Sequence, residues 1–488
     1  MMTENGLTKN SIDLSTINRT PIVISLIVGA FVSILNETLL NNALPNLMKE
    51  FSVSATTIQW LSTGFMLVVG ISIPVTAVLQ QWFTTRQLFL SSMLIFLIGT
   101  LIAAFSPTFG FLLTGRVIQA LGTGLNMPIM TTTILIIYPP KKRGGAMGLV
   151  GLVITFAPAI GPTLSGIIID SLNWRWLFYL IAPLALISVL IGAKYLRNVT
   201  QLKRSTIDII SIVLSTLGFG GIVYGFSMAG DISWSGRSVY WPLIIGIIGL
   251  VLFIFRQLKI NNPILDLRTF KYPMFSITIV LIFMVNMSLF SVMTLLPMFL
   301  QGVLLASAFV SGLIMLPGSV LNGIMGLISG KLFDKYGPYL LIIPGMILIV
   351  IAMWFLIGIN ASTSIGELIF IHCILLTGLS LVMMPAQTHG LNQLPVNLYP
   401  HGSAIFSTLQ QVSGAIGTAL FISIMSSGQK NYLAHSVHPK SQLEISAALT
   451  QGLHEAFLLG LIVTVIVFIL SFFIKHSKQN PESNQENG

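Results

Sequence analysis

The sequence predicts an all-α integral membrane protein: two six-helix bundles joined by two further helices, about fourteen spans in all. Three observations carry that expectation. Over 488 residues, 54% are hydrophobic and only 8% charged, with a mean hydropathy of +0.90, far outside the range of soluble chains. The apolar runs are about twenty residues long, which is what a helix needs to cross a hydrocarbon core of roughly 30 Å. They lack the period-two alternation of barrel strands. Finally, a turn near residue 80 has a second copy about 250 residues later, the spacing of two bundles separated by an extra helical pair.

Polar and Gly/Pro punctuation marks out the spans in order. The first runs from Pro21, behind Arg19 and Thr20, to Asn42, and the second from Thr57 to Leu79, ending before Gln80 and Gln81. The third, 87–106, lies between TTRQ and Pro107, and the fourth, 109–137, stops at Tyr138-Pro139-Pro140. The fifth, 145–170, begins behind KKRGG and ends at Asp170, and the sixth, 174–196, is bracketed by WR and LRN. The extra pair is 207–229 and 239–258. The second bundle comprises 273–300, 306–329, 338–358, 366–393, 402–427 and 453–475. The implied organisation is a tail over 1–20, a six-helix bundle over 21–198, a two-helix linker over 199–272, a second bundle over 273–475 and a tail over 476–488. The polar first twenty residues, with no small-residue cleavage pattern behind them, do not read as a cleaved signal peptide. A single cysteine, Cys373, lies inside an apolar run, so the fold depends on packing alone.

The net charge of +10 belongs to topology and not to nucleic acid, because no basic run exceeds KKR at 141–143 and no aromatic platform accompanies it. With both tails cytoplasmic, about eighteen of the 24 Lys and Arg fall inside and about four outside, namely Lys49, Arg237, Lys430 and Lys440. This orients the chain as a multi-pass protein of a plasma membrane. Arg116 and Arg175 remain, within or at the mouth of spans.

The first span carries ILNETLLNNALP at 34–45. Ser33, Glu37 and Asn41 line up at i, i+4, i+8 as one polar stripe, with Thr38 and Asn42 beside it. An ionised carboxylate at the bilayer centre costs roughly 2.5–3.5 kcal/mol on an insertion scale, so Glu37 must pair, sit in a wet cavity or take up a proton. It is therefore the candidate proton carrier. The alternative places Glu37 near the outer end of the span, solvated or bonded to Asn41. Arg116 poses the same problem several residues into the fourth span, with snorkelling to the surface as its alternative. On the fifth span Ala157, Gly161 and Ser165 recur every four residues, as do Pro158 and Pro162, giving a smooth, kinkable packing face. Asp170 at that helix's end is a candidate second proton site or a solvated end residue.

AVLQQWFTTRQ from Ala77 and GKLFDKYGP from Gly330 align as G-x-L-x-D-x-x-G, the first copy carrying Gln81 for the acid and Thr84 for the glycine. With QWLSTGFML (59–67), RVIQALGTG (116–124), APAIGPTLSG (157–166), WRWLF (174–178) and PILDLRTF (263–270) in that order, the chain resembles the major facilitator superfamily. Its nearest likeness is to the fourteen-helix drug:proton antiporter branch, which includes Gram-positive lincomycin and multidrug exporters. The resemblance implies the major facilitator fold, alternating access, and export of amphipathic drugs driven by the proton gradient, with no enzymatic cofactor. It implies proton coupling at Arg116, with Gln119 following it, and at the first-helix acid. Members of the family usually carry that acid as Asp at the position of Asn36; here the carboxylate sits one residue on, at Glu37. It also implies an antiporter motif around Pro158, Gly161 and Pro162, and a cytoplasmic latch at Gly330, Asp334 and Gly337, better formed than its Gln81 counterpart.

The 21 Met and 10% aromatic content suit loosely specified apolar cargo, with Met66, Phe156, Phe290, Met293, Met383, Met384, Asn41 and Gln119 as candidate cavity residues. His389 with Gln387, Thr388, Asn392 and Gln393 forms a polar patch read as end polarity or a proton relay. HEAFL at 454–458 lacks the second histidine of a zinc helix, and His435 and His438 have no acid or cysteine cluster, so no metal is expected. No Walker-type glycine loop appears, which argues against direct ATP use. The expected partners are small amphipathic molecules, protons and the lipid bilayer, acting on a monomer. Export of an endogenous lipid, fatty acid or peptide is the alternative cargo; an enzyme or channel is the less favoured class.

Overall fold

The computed structural model describes residues 18–53, 55–200, 208–231, 236–260, 263–436, 438 and 441–474. Among the described residues every regular element is helical. The first half comprises α1 (Arg19–Leu39), a short α2 (Leu44–Phe51), α3 (Ala55–Trp82), α4 (Thr85–Ala104), α5 (Phe109–Ile137), α6 (Arg143–Ser171) and α7 (Arg175–Tyr195). Next come α8 (Ile209–Asp231) and α9 (Arg237–Lys259), followed by α10 (Pro273–Gly302), α11 (Ala308–Tyr336), α12 (Tyr339–Ile357), α13 (Ile365–Asn392), α14 (Tyr399–His435) and α15 (Gln442–Ser471). Fourteen of these exceed eighteen residues, and thirteen are long and apolar enough to cross a membrane by length and composition. The fourteenth, α6, is wedged between the two halves.

The ends obey local chemistry. Thr84 caps α4 in a capping box with Gln87, and Thr108, Ser307, Ser364 and Ser441 accept a backbone N–H at the starts of α5, α11, α13 and α15. Gly337 ends α11 at φ 78°, a conformation that any side chain would strain. Three elements differ from the sequence expectation. Helix α14 extends to His435 and α15 begins at Gln442, well past the apolar limits at 427 and 453, because polar residues such as Gln429, Lys430 and Asn431 continue a helix that hydropathy no longer marks. The short α2, too short to span, is fastened over one end of the first bundle. Its Glu50 accepts from Trp174 Nε1 at 2.6 Å and pairs with Arg175 at 2.7 Å, while Arg175 also donates to the Ser106 carbonyl. Partial desolvation raises the Glu50 carboxyl, and the Arg175 and Trp174 hydrogen bonds outweigh it and hold it below its ordinary value.

Within the first half, α4 packs on α5 and α7, α1 on α6 and α7, and α3 on α5; within the second, α10 packs on α13, α14 and α15, and α12 on α13 and α15. The halves meet along two seams, α6 with α11 and α3 with α14. The extra pair packs on itself, with α8 lying against α3 and α14. Close approach there needs glycine: a Cβ on Gly221 would meet the backbone at Pro242 and Gly246.

The pair is also clamped at its end. Arg256 donates to both carboxylate oxygens of Asp208, at 2.6 and 2.9 Å, and Gln257 donates to Ser211. The Arg256 hydrogen bonds push the Asp208 carboxyl down to about 2, below the unfolded value of about 3.9. A carboxyl held low in the folded state contributes stability that is present above the unfolded pKa and lost as pH falls through the folded one. Asp208→Asn is therefore expected to lower the thermal midpoint of the purified protein by the same amount at any pH from about 5 to 8, the difference shrinking as pH falls from about 4 towards 2. A difference that grows on acidification would refute the assignment.

Candidate functional site

Arg116 sits in α5, 1% exposed, which excludes snorkelling. Its Nε donates to the Leu61 carbonyl at 3.3 Å, its Nη1 to Gln119 Oε1 at 3.1 Å, and its guanidinium lies 4.0 Å from the centre of the Phe65 ring. Among the described residues its Nη2 has no hydrogen-bond partner. Gln119 is the hub of the surrounding network: its Oε1 also accepts from Asn36 at 3.3 Å, and its Nε2 donates to Thr100 at 2.8 Å and to Asn36 Oδ1 at 3.3 Å. Gln119, expected to line the cavity, is fully buried instead, because two neighbouring helices each supply it with a hydrogen-bonding side chain.

One residue is about 100° of helix, and that angle separates the roles of Asn36 and Glu37. Asn36 points into α5 and is buried; Glu37 is surrounded by protein yet only half-buried, as a side chain lining an internal opening is. Glu37 lies within the field of Arg116, but no ion pair of 4 Å or less joins them among the described residues. Beside it, Thr38 touches α6 where a Cβ on Gly161 would collide with it, so Gly161 brings α6 against the acid-bearing turn of α1. A second buried chain lies one or two turns along: Ser92 donates to Asn126 at 2.7 Å, and Asn126 to Ser33 at 2.9 Å.

At one end of the molecule, Asp334 accepts from the backbone N–H of Gly144 and of Gly145, each at 2.8 Å, bridging α11 to the first turn of α6. Gly144 and Gly330 abut so closely that neither has room for a Cβ, and Gly148 meets Gly326 one turn on. Sequence reasoning missed the neighbouring clamp. Arg143 was counted among loop charges, yet it donates to Asn392 at 2.7 Å and to the Tyr399 hydroxyl at 2.9 Å across the seam, and to the Leu135 and Tyr138 carbonyls within its own half. Its one signal was its place beside two glycines at a helix start. Gln81 faces His401 at 3.1 Å, joining α3 to α14. His401 Nδ1 accepts from the Asp266 N–H at 3.2 Å, and its Nε2 is the atom that faces the Gln81 amide. This end is sealed. Towards the other ends of α6 and α11, Gly166 and Gly312 face open space.

The remaining candidates divide. Met66 and Met293 are 42% and 40% exposed; Phe156, Phe290 and Met383 are half-buried, Phe290 resting against Gly414. Met384 is a correction: it is buried in the seam against Gly151, so it joins the two halves and does not line an opening. Pro158 is half-buried in α6. The side chains of Asn41, Pro162 and Asp170 lie outside the described residues. His389 is buried in α13, and no cluster of metal-ligating residues occurs among the described residues.

Comparison with known proteins agrees with this architecture. The chain is 50% identical over 460 residues to the lincomycin resistance protein LmrB of Bacillus subtilis (strain 168), covering 94% of this chain and 96% of that one. It matches the protein of the same name from Listeria monocytogenes to the same extent, covering 97% of it. It is 26% identical to the multidrug export protein EmrB of Haemophilus influenzae, over 82% of this chain and 79% of that one. The crystal structure of the human organic anion transporter MFSD10 (TETRAN) superposes with a TM-score of 0.62 at 14% identity, over 93% of this chain and 99% of that one, a likeness of fold. The profile of the Major Facilitator Superfamily matches residues 26–418, spanning the buried Arg116 network, both seams and the sealed end, and the chain belongs to that superfamily.

Proposed function

We propose that this protein exports amphipathic drugs, lincosamide-like antibiotics among them, across the cytoplasmic membrane in exchange for protons. The observation that carries the proposal is Glu37, half-buried on α1 within the field of a buried Arg116 that no carboxylate clamps. The names of the 50% identical relatives support the cargo class. The excess of Lys and Arg at the Asp334 end supports a cytoplasmic placement of that end, and the sealed contact there supports an outward-facing conformation.

In this reading Arg116 keeps its charge throughout the cycle, so the state of Glu37 sets the local net charge. An ionised Glu37 balances Arg116 and leaves the cavity electrically fit for cargo. A proton arriving from outside removes that balance, and cargo and proton favour opposite-facing states. One proton falling through 100 mV supplies roughly 2.3 kcal/mol, enough to concentrate cargo about fiftyfold. Asn36 holds Gln119 and hence Arg116 in place, a structural task distinct from carrying the proton.

Glu37→Gln is expected to reduce transport driven by an imposed pH gradient in proteoliposomes at least tenfold while leaving lincosamide binding within about threefold; unchanged transport would remove Glu37 from the mechanism. For the gate, a Gly312→Cys reporter in a Cys373→Ser background reads the open end. Asp334→Asn weakens two charge-assisted hydrogen bonds and is expected to cut labelling by a membrane-impermeant maleimide about five- to tenfold. Gln81→Ala, which removes a neutral bond, is expected to cut it no more than about threefold. Equal losses would overturn the asymmetry between the two seams.

A further inference from the structure

We propose that the groove between the start of α1 and the end of α7 binds the headgroup of an anionic glycerophospholipid. The inference stands independently of the transport reading. A cavity of about 470 Å³ opens there, lined by Asn18, Thr20, Pro21 and Ile24 from α1 and by Ile191 and Tyr195 from α7; its volume is within the ~300–1,000 Å³ usual for small-molecule sites. Its chemistry is layered along the helix axes. Asn18, Thr20 and Tyr195 form the polar end, while Ile24 and Ile191 lie about one turn deeper, towards the middle of the membrane.

Cations lie near the polar end, whose own lining residues are uncharged. Lys194 Nζ sits 5.2 Å from the ring of the lining residue Tyr195, Arg19 adjoins the lining residue Thr20 and lies over Tyr138, and Arg86 donates to the Ala193 carbonyl at 2.6 Å. Arg197 is exposed one turn on. Three arginines elsewhere pair with carboxylates: Arg175 with Glu50, Arg256 with Asp208, and Arg268 with Asp266. Among the described residues no carboxylate pairs with the cations of this end. The chain has no Asp or Glu from Phe51 to Ile169 or from Ser171 to Ile207, and α1 has none before Glu37, so α1, α4, α5 and α7 bring no carboxylate to this end.

Among the described residues these cations are left without a carboxylate, and the groove offers an anion with an apolar tail both positive charge and a matching wall. Ile24, Ile187 and Leu190 continue its wall as exposed side chains that lie against acyl chains in a bilayer. A soluble phosphate ester would leave that wall unused. Each cation near an anionic headgroup is worth roughly a fivefold preference, so Arg19 and Lys194 together supply about twenty-five-fold.

The test uses the full chain, purified in mild detergent and supplied with equimolar phosphatidylglycerol and phosphatidylcholine, with retained lipid counted by native mass spectrometry. Phosphatidylglycerol is expected to be retained at least tenfold over phosphatidylcholine, and Arg19→Gln/Lys194→Gln to reduce that ratio at least fivefold, whereas Arg237→Gln at the opposite end leaves it unchanged. A photoreactive benzoylphenylalanine in place of Ile191 is expected to crosslink phosphatidylglycerol, which ties the lipid to this groove. Equal retention of the two lipids, an unaltered ratio in the double variant, or no crosslink from position 191 would each overturn the proposal. So would displacement of the lipid by equimolar soluble sn-glycerol 3-phosphate, which would make the site one for the free ester.

Discussion

A guanidinium held inside a membrane-spanning bundle, with one nitrogen left without a partner among the described residues, constrains everything around it. Burying an unpaired arginine is costly enough that the chain must offer compensation from several helices. Here α3 supplies the Leu61 carbonyl and the Phe65 ring face, while α5 supplies Gln119. Gln119 in turn needs Asn36 on α1 and Thr100 on α4 to satisfy its own amide. Four helices of the first half are thereby fixed in register by one charge. The charge is also left incompletely satisfied, because Glu37 is near enough to feel it and not close enough to neutralise it in a contact pair. A tight pair would hold the carboxylate ionised permanently; a distant one would leave Arg116 uncompensated. The intermediate arrangement is the one in which a proton changes most.

The same helix that carries Arg116 reaches the sealed end. From Arg116 to Leu135 is about 28 Å of α5, and there its terminal carbonyl groups at Leu135 and Tyr138 accept from Arg143. Arg143 then crosses the seam to Asn392 and Tyr399. A rigid element thus joins the charged network to the gate, with Arg143 as the hinge between α5, α6 and the second half. The contact is physical continuity; coupling follows if α5 shifts when Glu37 changes charge.

The sequence made the class, the number of helices and their order legible, since hydrocarbon thickness prescribes the length of an apolar run and leaves few alternatives. Ends that leave the hydrocarbon escape that rule, which is why the polar extensions of α14 and α15 and the short α2 were not visible. In the site, the anomaly of Glu37 and Arg116 was legible because charge in such a context demands explanation. The neighbours that answer it were less so: Gln119 looked like a cavity residue and is a buried hub, and Arg143 looked like a topology signal and is a clamp. Both errors share a cause. Hydrogen-bond partners of a helical side chain are set by how neighbouring helices rotate about their axes, and in helices polar on so few positions the rotation leaves little trace in the pattern.

The two seams at the sealed end are built from different chemistry. Across α6 and α11, a carboxylate receives two backbone N–H groups at the start of a helix, where the partial positive charge of the helix end adds to the bond. Beside it, Arg143 ties the start of α6 to Asn392 of α13 and Tyr399 of α14. Charge-assisted bonds of this kind are about twice as strong as neutral ones. Across α3 and α14 the corresponding position holds Gln81 against His401, whose other ring nitrogen accepts from the Asp266 N–H. Gln81 brings no charge to that contact. The α3–α14 contact is the weaker of the two by this chemistry. The glycine contacts of Gly144 with Gly330 and of Gly148 with Gly326 bring the backbones of α6 and α11 together, so no side chain separates the two helices along this seam.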